Sequence, residues 1–264
     1  QFANHFVRLG GNQQVGQQEN MQAWQRRGLP MWARTLIAVA VVLLLLLVFF
    51  RVDEFEVSGN VRYTSGEVAD ASGVTLGDVL MGVNKTQAAS RILVKLPYVQ
   101  QVVVSKALPG TVRFTVKECR AMVAAQSEAG VVWLMNDEKK LLERLEDGAE
   151  LNLPLIQGVT LNLPLAGDPA SFSDGLREER AMEAAASIWN AGIQGDISAI
   201  DVTDPEEITL NYRDRVEVHV GDGTDIDYKL QYMLTALGQL GENAMGMLDL
   251  SFSGGNQAVF HPVE

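Results

Sequence analysis

One long apolar run divides this chain into a short front piece and a large back piece. Residues 36–50 read LIAVAVVLLLLLVFF, and in a helix that rises about 1.5 Å per residue they cover roughly 22 Å of a hydrocarbon core about 30 Å thick. Apolar residues at 31–33 lengthen the stretch, so the pattern predicts a single N-terminal transmembrane helix over residues 31–50. A cleaved signal peptide is disfavoured, because about 35 residues precede the run and no small-x-small site follows it.

The charges on the two sides of this run are unequal. Four arginines and a single acid, Glu19, lie before it, whereas Arg51 just after it is followed by three acids within five residues. The positive-inside rule therefore predicts a cytoplasmic N-terminus, with the C-terminal domains outside the membrane. Residues 1–30 are rich in Gln, Asn and Gly and are expected to form a disordered cytoplasmic tail.

The pattern after the run predicts a compact β-α-α-β-β unit over residues 51–119. Its elements are a strand, two helices and a hairpin of two strands, expected at residues 55–58, 65–71, 86–96, 99–107 and 111–119. Gly73 ends the first helix and Pro97 stops the second, while Pro109-Gly110 makes the hairpin turn. The hairpin can pair with the first strand to form one small sheet.

Residues 120–264 are predicted to form a second, mixed α/β domain, so the whole chain belongs to the α+β class. Helices are expected at 174–191 and 224–240, where apolar positions follow helical spacing. Short strands are expected at residues 121–126, 131–135, 153–158, 197–202, 207–212, 216–220, 247–252 and 257–260.

Composition narrows the chemistry that the chain can perform. Beyond Arg34, 32 acidic residues stand against 17 basic ones, which disfavours nucleic acids and anionic lipids as partners. The one cysteine, Cys119, excludes an internal disulfide and is interpreted as a small buried apolar residue. The histidines at 5, 219 and 261 lack metal-ligand spacing, and no phosphate loop or nucleophile elbow is present. We therefore expect no catalysis, no metal site and no cofactor.

The last predicted strand is the candidate binding element. A strand close to a C-terminus is often a sheet edge, and an edge offers backbone N–H and C=O groups to a partner strand. Phe252 and Phe260 flank this hairpin. They can be anchors for a partner or ordinary core residues, because aromatic residues are enriched in both places.

Several local motifs together resemble one known family. They are FEVSGN at 55–60, LPYV at 96–99, VVV at 102–104, LPGTV at 108–112, LPLIQG at 153–158 and DLSF at 249–252. This set resembles the FtsQ/DivIB family of bitopic cell division proteins. The first four motifs are similar to the family's POTRA domain, and the last two are similar to its β domain.

The resemblance implies a non-catalytic role at the division septum of the bacterial inner membrane. Such proteins join FtsL-like and FtsB/DivIC-like bitopic proteins in a complex that regulates septal peptidoglycan synthesis. By position, the resemblance assigns partner binding by strand addition to Asp249, Leu250, Ser251, Phe252, Gly254 and Phe260. It assigns the recruitment surface of the POTRA domain to Tyr98, Val99, Gln101 and Val103.

Two other functions remain open from the sequence. One is a membrane-anchored POTRA adaptor for protein secretion or envelope assembly, which predicts partners in protein translocation. The other is a membrane-tethered hydrolase, which predicts one polar side chain whose loss abolishes activity while the fold survives. No such residue stands out in the sequence.

Overall fold

The computed structural model describes residues 30–240, 244–251 and 258–262. Its first element is helix α1, Met31–Phe49, which begins after Pro30. Apolar side chains of α1 are exposed, among them Val42 and Phe49. By length and hydropathy together, no helix within the described ranges qualifies to cross a membrane. The membrane crossing therefore stays a prediction.

A three-stranded sheet follows α1. Its elements are strand β1 (Glu54–Ser58), helix α2 (Ser65–Ser72), a short 3₁₀ helix (Leu80–Gly82), helix α3 (Lys85–Lys95) and strands β2 (Val99–Ala107) and β3 (Thr111–Glu118). The strand order is β1-β3-β2, with β3 parallel to β1 and antiparallel to β2. The predicted β-α-α-β-β order is confirmed, and the hairpin does pair with the first strand.

The core of this unit lies between the sheet and its helices. Phe114 of β3, Ile92 of α3 and Leu80 of the 3₁₀ helix are fully buried. Helix α2 is capped by Thr64, one residue earlier than Ser65. The Thr64 hydroxyl accepts from the backbone N–H of the third helical residue, Glu67, whose carboxylate accepts in turn from the Thr64 N–H at 2.8 Å. This reciprocal pair is a capping box.

The rest of the chain builds a nine-stranded sheet. Its strands are β4 (Val123–Ser127), β5 (Val132–Met135), β6 (Leu141–Arg144), β7 (Leu155–Leu161), β8 (Ile197–Asp201), β9 (Ile208–Tyr212), β10 (Val216–Gly221), β11 (Gly246–Asp249) and β12 (Val259–Pro262). The strand order is β12-β11-β10-β9-β8-β7-β4-β5-β6. Chain order and sheet order therefore differ only where β7 pairs with β4 instead of β6.

Two helices cover this sheet, α4 (Gly175–Asn190) and α5 (Ile226–Gln239). They contact each other, and α4 also contacts β7 and β8. Ile188 and Met233 of the helices are fully buried in one cluster with Ile200, Leu210 and Val218 of the sheet. This cluster is separate from the core around Phe114. Two cores agree with two domains, while the boundaries at 51–119 and 120–264 stay predictions.

Several boundaries in the second unit differ from the sequence prediction, and three of them are informative. Strand β7 continues three residues beyond 158. Helix α5 follows Asp225, which has φ +54° and no side-chain cap bond, rather than Thr224. Strand β12 begins two residues late, because its register is fixed by pairing with β11, where Leu248 lies opposite Phe260. Such registers depend on the neighbouring strand, which local patterns do not contain.

Gly59 offers a test of this packing. It ends β1 with φ +82°, and a Cβ built there would collide with the backbone carbonyl oxygen of Val116. Because β3 cannot move without disturbing the sheet, Gly59→Ala should lower the free energy of unfolding by about 2 kcal/mol or more. The measurement is urea unfolding of the full chain, followed by circular dichroism.

Gly148→Ala is the matched control. Gly148 has nearly the same φ, +83°, but nothing lies within 4 Å of its Cβ position, so its substitution carries only the cost of a positive φ, about 1 kcal/mol. Equal losses for the two variants would contradict the close approach of Gly59 to β3.

Candidate protein-binding site

Strands β11 and β12 form a hairpin at one end of the nine-stranded sheet. β11 runs parallel to β10, and β12 runs antiparallel to β11. Within the described residues, β12 pairs on one side only. The C-terminal strand is thus an edge strand, as the sequence analysis expected.

Backbone hydrogen bonds show which residues of β11 face β10. The N–H of Gly246 donates to the Arg215 carbonyl at 3.2 Å, and the N–H of Leu250 donates to the His219 carbonyl at 2.8 Å. Successive residues of a strand direct their backbone groups to opposite sides. The backbone groups of the residues between Gly246 and Leu250 therefore point alternately to β12 and to β10.

This alternation determines which part of β12 is available. Met247 and Asp249 direct their backbone groups to β12, where they lie opposite His261 and Val259. The N–H and C=O of Phe260 therefore point away from β11, along the outer edge of the sheet. That edge can accept a partner strand.

The side chain of Phe260 has a different surrounding from its backbone. It is half-buried, lies opposite the buried Leu248 and packs against the core of the sheet. A Cβ at Gly246 would lie 2.8 Å from the Phe260 ring. The ring is thus partly a core residue, whereas the backbone is the exposed element.

The other predicted partner contacts are distributed unequally. Leu250 is fully buried in the core, so its side chain does not reach this surface, and its role in partner binding stays a prediction. Asp249 and Ser251 are half-buried, and the Ser251 N–H donates to Asp249 Oδ1 at 2.8 Å. Hydrogen bonds from Ser251 lower the pKa of the Asp249 carboxyl. Phe252 and Gly254 lie outside the described residues.

The face of the hairpin opposite Phe260 is open to solvent. Met247 is 36% exposed and Val259 46% exposed. Next to them, the His219 ring lies between two carboxylates, 3.2 Å from Glu207 and 3.0 Å from Glu217. No group of these residues, nor any other in the described part of the chain, has the geometry of a metal site.

The predicted recruitment surface is divided by burial. Gln101 and Val103 of β2 are accessible, Val103 to 64%. Tyr98 is 6% exposed and Val99 is not exposed at all, so these two side chains are not part of an open surface, and their recruitment role stays a prediction. The Tyr98 hydroxyl is bonded to Glu143 of the second sheet, whereas Val99 is packed in the core around Phe114.

Tyr98 and Val99 form a joint between the two sheets. The Tyr98 hydroxyl donates to Glu143 of β6 at 2.6 Å, and Arg62 lies over the Tyr98 ring while it binds the same carboxylate at 2.9 Å. Lys140 Nζ donates to the Val99 carbonyl at 2.9 Å. Burial is the main cause that raises the pKa of Tyr98, and the hydrogen bond to Glu143 is the second.

Cys119 lies in the same joint. Its Sγ donates to the Tyr98 carbonyl at 3.3 Å, and burial raises the pKa of the thiol. A raised pKa reduces the reactive thiolate form. Cys119 is half-buried, so it is less enclosed than the sequence analysis expected.

Comparison with known proteins identifies both units. Residues 50–118 match the family model of the FtsQ-type POTRA domain, and residues 124–251 match that of the FtsQ/DivIB C-terminal domain. This chain belongs to the FtsQ/DivIB family of cell division proteins. Its role is therefore in cell division, within a family whose members are not catalysts.

Individual relatives agree along most of the chain. Cell division protein DivIB of Clostridium botulinum (strain Loch Maree / Type A3) is 23% identical over 221 residues, 83% of this chain and 85% of the relative. Cell division protein FtsQ of Geobacter sp. (strain M21) is 30% identical over 176 residues, 66% and 62% of the two chains. FtsQ of Corynebacterium glutamicum is 25% identical over 207 residues, 78% and 87%.

The joint between the POTRA domain and the C-terminal domain contains the residues that sequence reasoning missed. Arg62, Lys140 and Glu143 carry no local motif, and Tyr98 and Glu143 are 45 positions apart. The one sequence signal for these three residues is that they are polar within apolar or turn-rich segments. That signal is shared by most surface residues, so it has little value without the fold.

Tyr98 generates a prediction about alkaline stability. The pKa of Tyr98 in the folded protein is raised above the ordinary value of 10.0. Its contribution to the free energy of unfolding is therefore fully present below about pH 10 and is lost as the pH rises further. In urea unfolding of the full chain between about pH 8 and pH 11, Tyr98→Phe should lose less stability than the unsubstituted protein. The stability that Glu143→Gln loses over this pH range should lie between the losses of the other two proteins. An identical alkaline loss in all three proteins would contradict the joint.

Proposed function

We propose that this protein is a membrane-anchored, non-catalytic scaffold of the cell division machinery. It binds FtsL-like and FtsB/DivIC-like bitopic partners and through them helps to regulate septal peptidoglycan synthesis. The observation that carries the proposal is the outward backbone of β12 at the sheet edge, in a domain of the FtsQ/DivIB family. Strand addition needs such an edge and no special side chain.

The surroundings of β12 support a protein partner. Met247, Val259 and His261 form an exposed strip on the open face, where side chains of an added strand would lie beside them. Phe260 closes the other face and holds the hairpin to the core. A partner strand therefore finds a fixed template rather than a loose terminus.

A second surface of the proposal is the edge strand β2 of the POTRA domain. In the strand order β1-β3-β2, β2 lies at the edge and pairs only with β3 among the described residues. Gln101 and Val103 are accessible there, and we assign to them the recruitment role that the resemblance implies. Tyr98 and Val99 support this strand from inside the joint.

The anchor in this proposal is α1. Its support is the uninterrupted apolar run at 36–50 and the arginine-rich segment before it. We propose that the N-terminus lies in the cytoplasm and both folded domains lie outside, with enrichment at the septum. A POTRA adaptor in secretion or envelope assembly is the alternative, and it would bind translocation proteins instead.

The first test is a pull-down of the full chain, in detergent, with the host's own FtsL-like and FtsB/DivIC-like proteins. The scaffold proposal predicts capture that is lost when residues 249–264 are deleted, while circular dichroism still reports folded domains. Absence of capture at high micromolar concentration would favour the adaptor.

A sharper prediction concerns the backbone of Phe260. Phe260→Pro removes the N–H that points along the outer edge, so it should weaken partner binding at least about tenfold, since a lost bond at a buried interface costs on the order of 1.5 kcal/mol. Phe260→Ala is the matched control, because it loses the same ring packing but keeps the N–H. Biolayer interferometry with the FtsB/DivIC-like partner measures both. Equal affinities for the two variants would exclude pairing through this N–H.

A further inference from the structure

Four exposed apolar side chains gather around the end of α1. They are Leu76, Val79, Met81 and Leu108, exposed to 63%, 37%, 62% and 64%, and we call them the proximal rim. Single exposed apolar residues are ordinary on protein surfaces. Four of them on two loops beside one point of the chain form a patch that needs an explanation.

The first loop of the proximal rim is fixed to the chain that leaves α1. The Leu80 N–H donates to the Phe50 carbonyl at 2.9 Å, the Val52 N–H donates to Asp78 at 2.8 Å, and the Gly77 N–H donates to Val52 at 2.7 Å. Three backbone bonds thus tie the loop to residues 50–52. The POTRA domain begins directly at the helix, without a linker that would let it move away.

The alternation of burial in this loop turns the rim outward. Leu80 is fully buried in the POTRA core, whereas its neighbours Val79 and Met81 are exposed. Val79 forms an antiparallel bridge with Arg51, two residues beyond the end of α1. Burial of Leu80 therefore requires that the residues on either side face solvent.

The second loop, the β2–β3 turn, reaches the same place. The Asp53 N–H donates to the Gly110 carbonyl at 2.8 Å, and Lys106 Nζ donates to the Met81 carbonyl at 3.1 Å. Leu108 lies between these two contacts in the chain. Both loops of the proximal rim are therefore held within a few residues of Phe50.

We propose that the proximal rim inserts into the interfacial layer of the membrane that holds α1. The inference rests on the membrane anchoring proposed above. The apolar surface of α1 ends at Phe49, and both loops of the proximal rim are hydrogen-bonded to residues 50–53, so an embedded α1 brings the rim to the headgroup level. Apolar side chains at that depth are stabilised by burial about 5–10 Å into the boundary.

The net charge of the chain indicates what holds this contact. The excess of acids disfavours attraction to anionic lipids, so insertion depends on the apolar side chains and not on headgroup charge. Contact with zwitterionic phosphatidylcholine vesicles should therefore suffice. Rim and anchor together would fix the tilt of the POTRA domain on the membrane.

The test uses the full chain in phosphatidylcholine vesicles that carry nitroxide-labelled lipids. Cys119→Ser removes the native thiol, and single cysteines are placed by Leu76→Cys, Met81→Cys or Leu108→Cys and labelled with the fluorophore nitrobenzoxadiazole. Val42→Cys reports on the embedding of α1. Leu163→Cys is the matched control, since Leu163 is 98% exposed and lies beyond β7 in the other domain.

The expected result is loss of fluorescence at all three rim positions with shallow nitroxides, together with a blue-shifted emission, and no loss at Leu163→Cys. Quenching at Val42→Cys without quenching at the rim would overturn this inference and keep the anchor, leaving a protein partner to cover the rim. No quenching at Val42→Cys or at the rim would overturn both. Thermal unfolding of each labelled protein by circular dichroism verifies the fold, which exposed substitutions change little.

Discussion

The structure depends on the joint between the POTRA domain and the C-terminal domain. There, one carboxylate, Glu143, receives the Tyr98 hydroxyl and the Arg62 guanidinium, and one ammonium group, Lys140, binds carbonyls of Leu93 and Val99. Each of these bonds has a direction as well as an energy, because it fixes an angle between the two groups that it joins. The two sheets are therefore held in one relative orientation.

This orientation matters because the proposed contacts lie at opposite ends of the molecule. The proximal rim and α1 are at the start of the POTRA domain, and β12 is the far strand of a nine-stranded sheet whose other end, β6, carries the joint. A hinge at the joint would leave the β12 edge free to move over a wide range. A fixed joint gives the edge a defined position relative to the anchor.

Backbone groups, more than side chains, determine the two proposed contact surfaces. At β12 the available groups are the N–H and C=O of Phe260, while the ring packs inward. At the proximal rim the backbone bonds to residues 50–52 decide where the apolar side chains lie. A scaffold of the proposed kind has little need of reactive side chains.

Local patterns predicted most of the secondary structure, since alternation, Gly73 and Pro97 act within a few residues of the elements that they define. They also predicted that the last strand is an edge. They placed Leu250, Tyr98 and Val99 on surfaces, however, and all three are buried. Motif position along a chain carries no measure of burial, because burial depends on which distant element packs above each residue.

The sequence by itself determined the apolar run, the order of helices and strands, the negative charge and the absence of disulfides. Each of these follows from residue type and short-range spacing. Only the tertiary structure decided the register of β12 against β11, the burial of Tyr98 against Glu143 and the gathering of Leu76, Met81 and Leu108 around Phe50. These features join residues tens of positions apart, and the free energy that selects them comes from packing and pairing that exist only once the chain has folded.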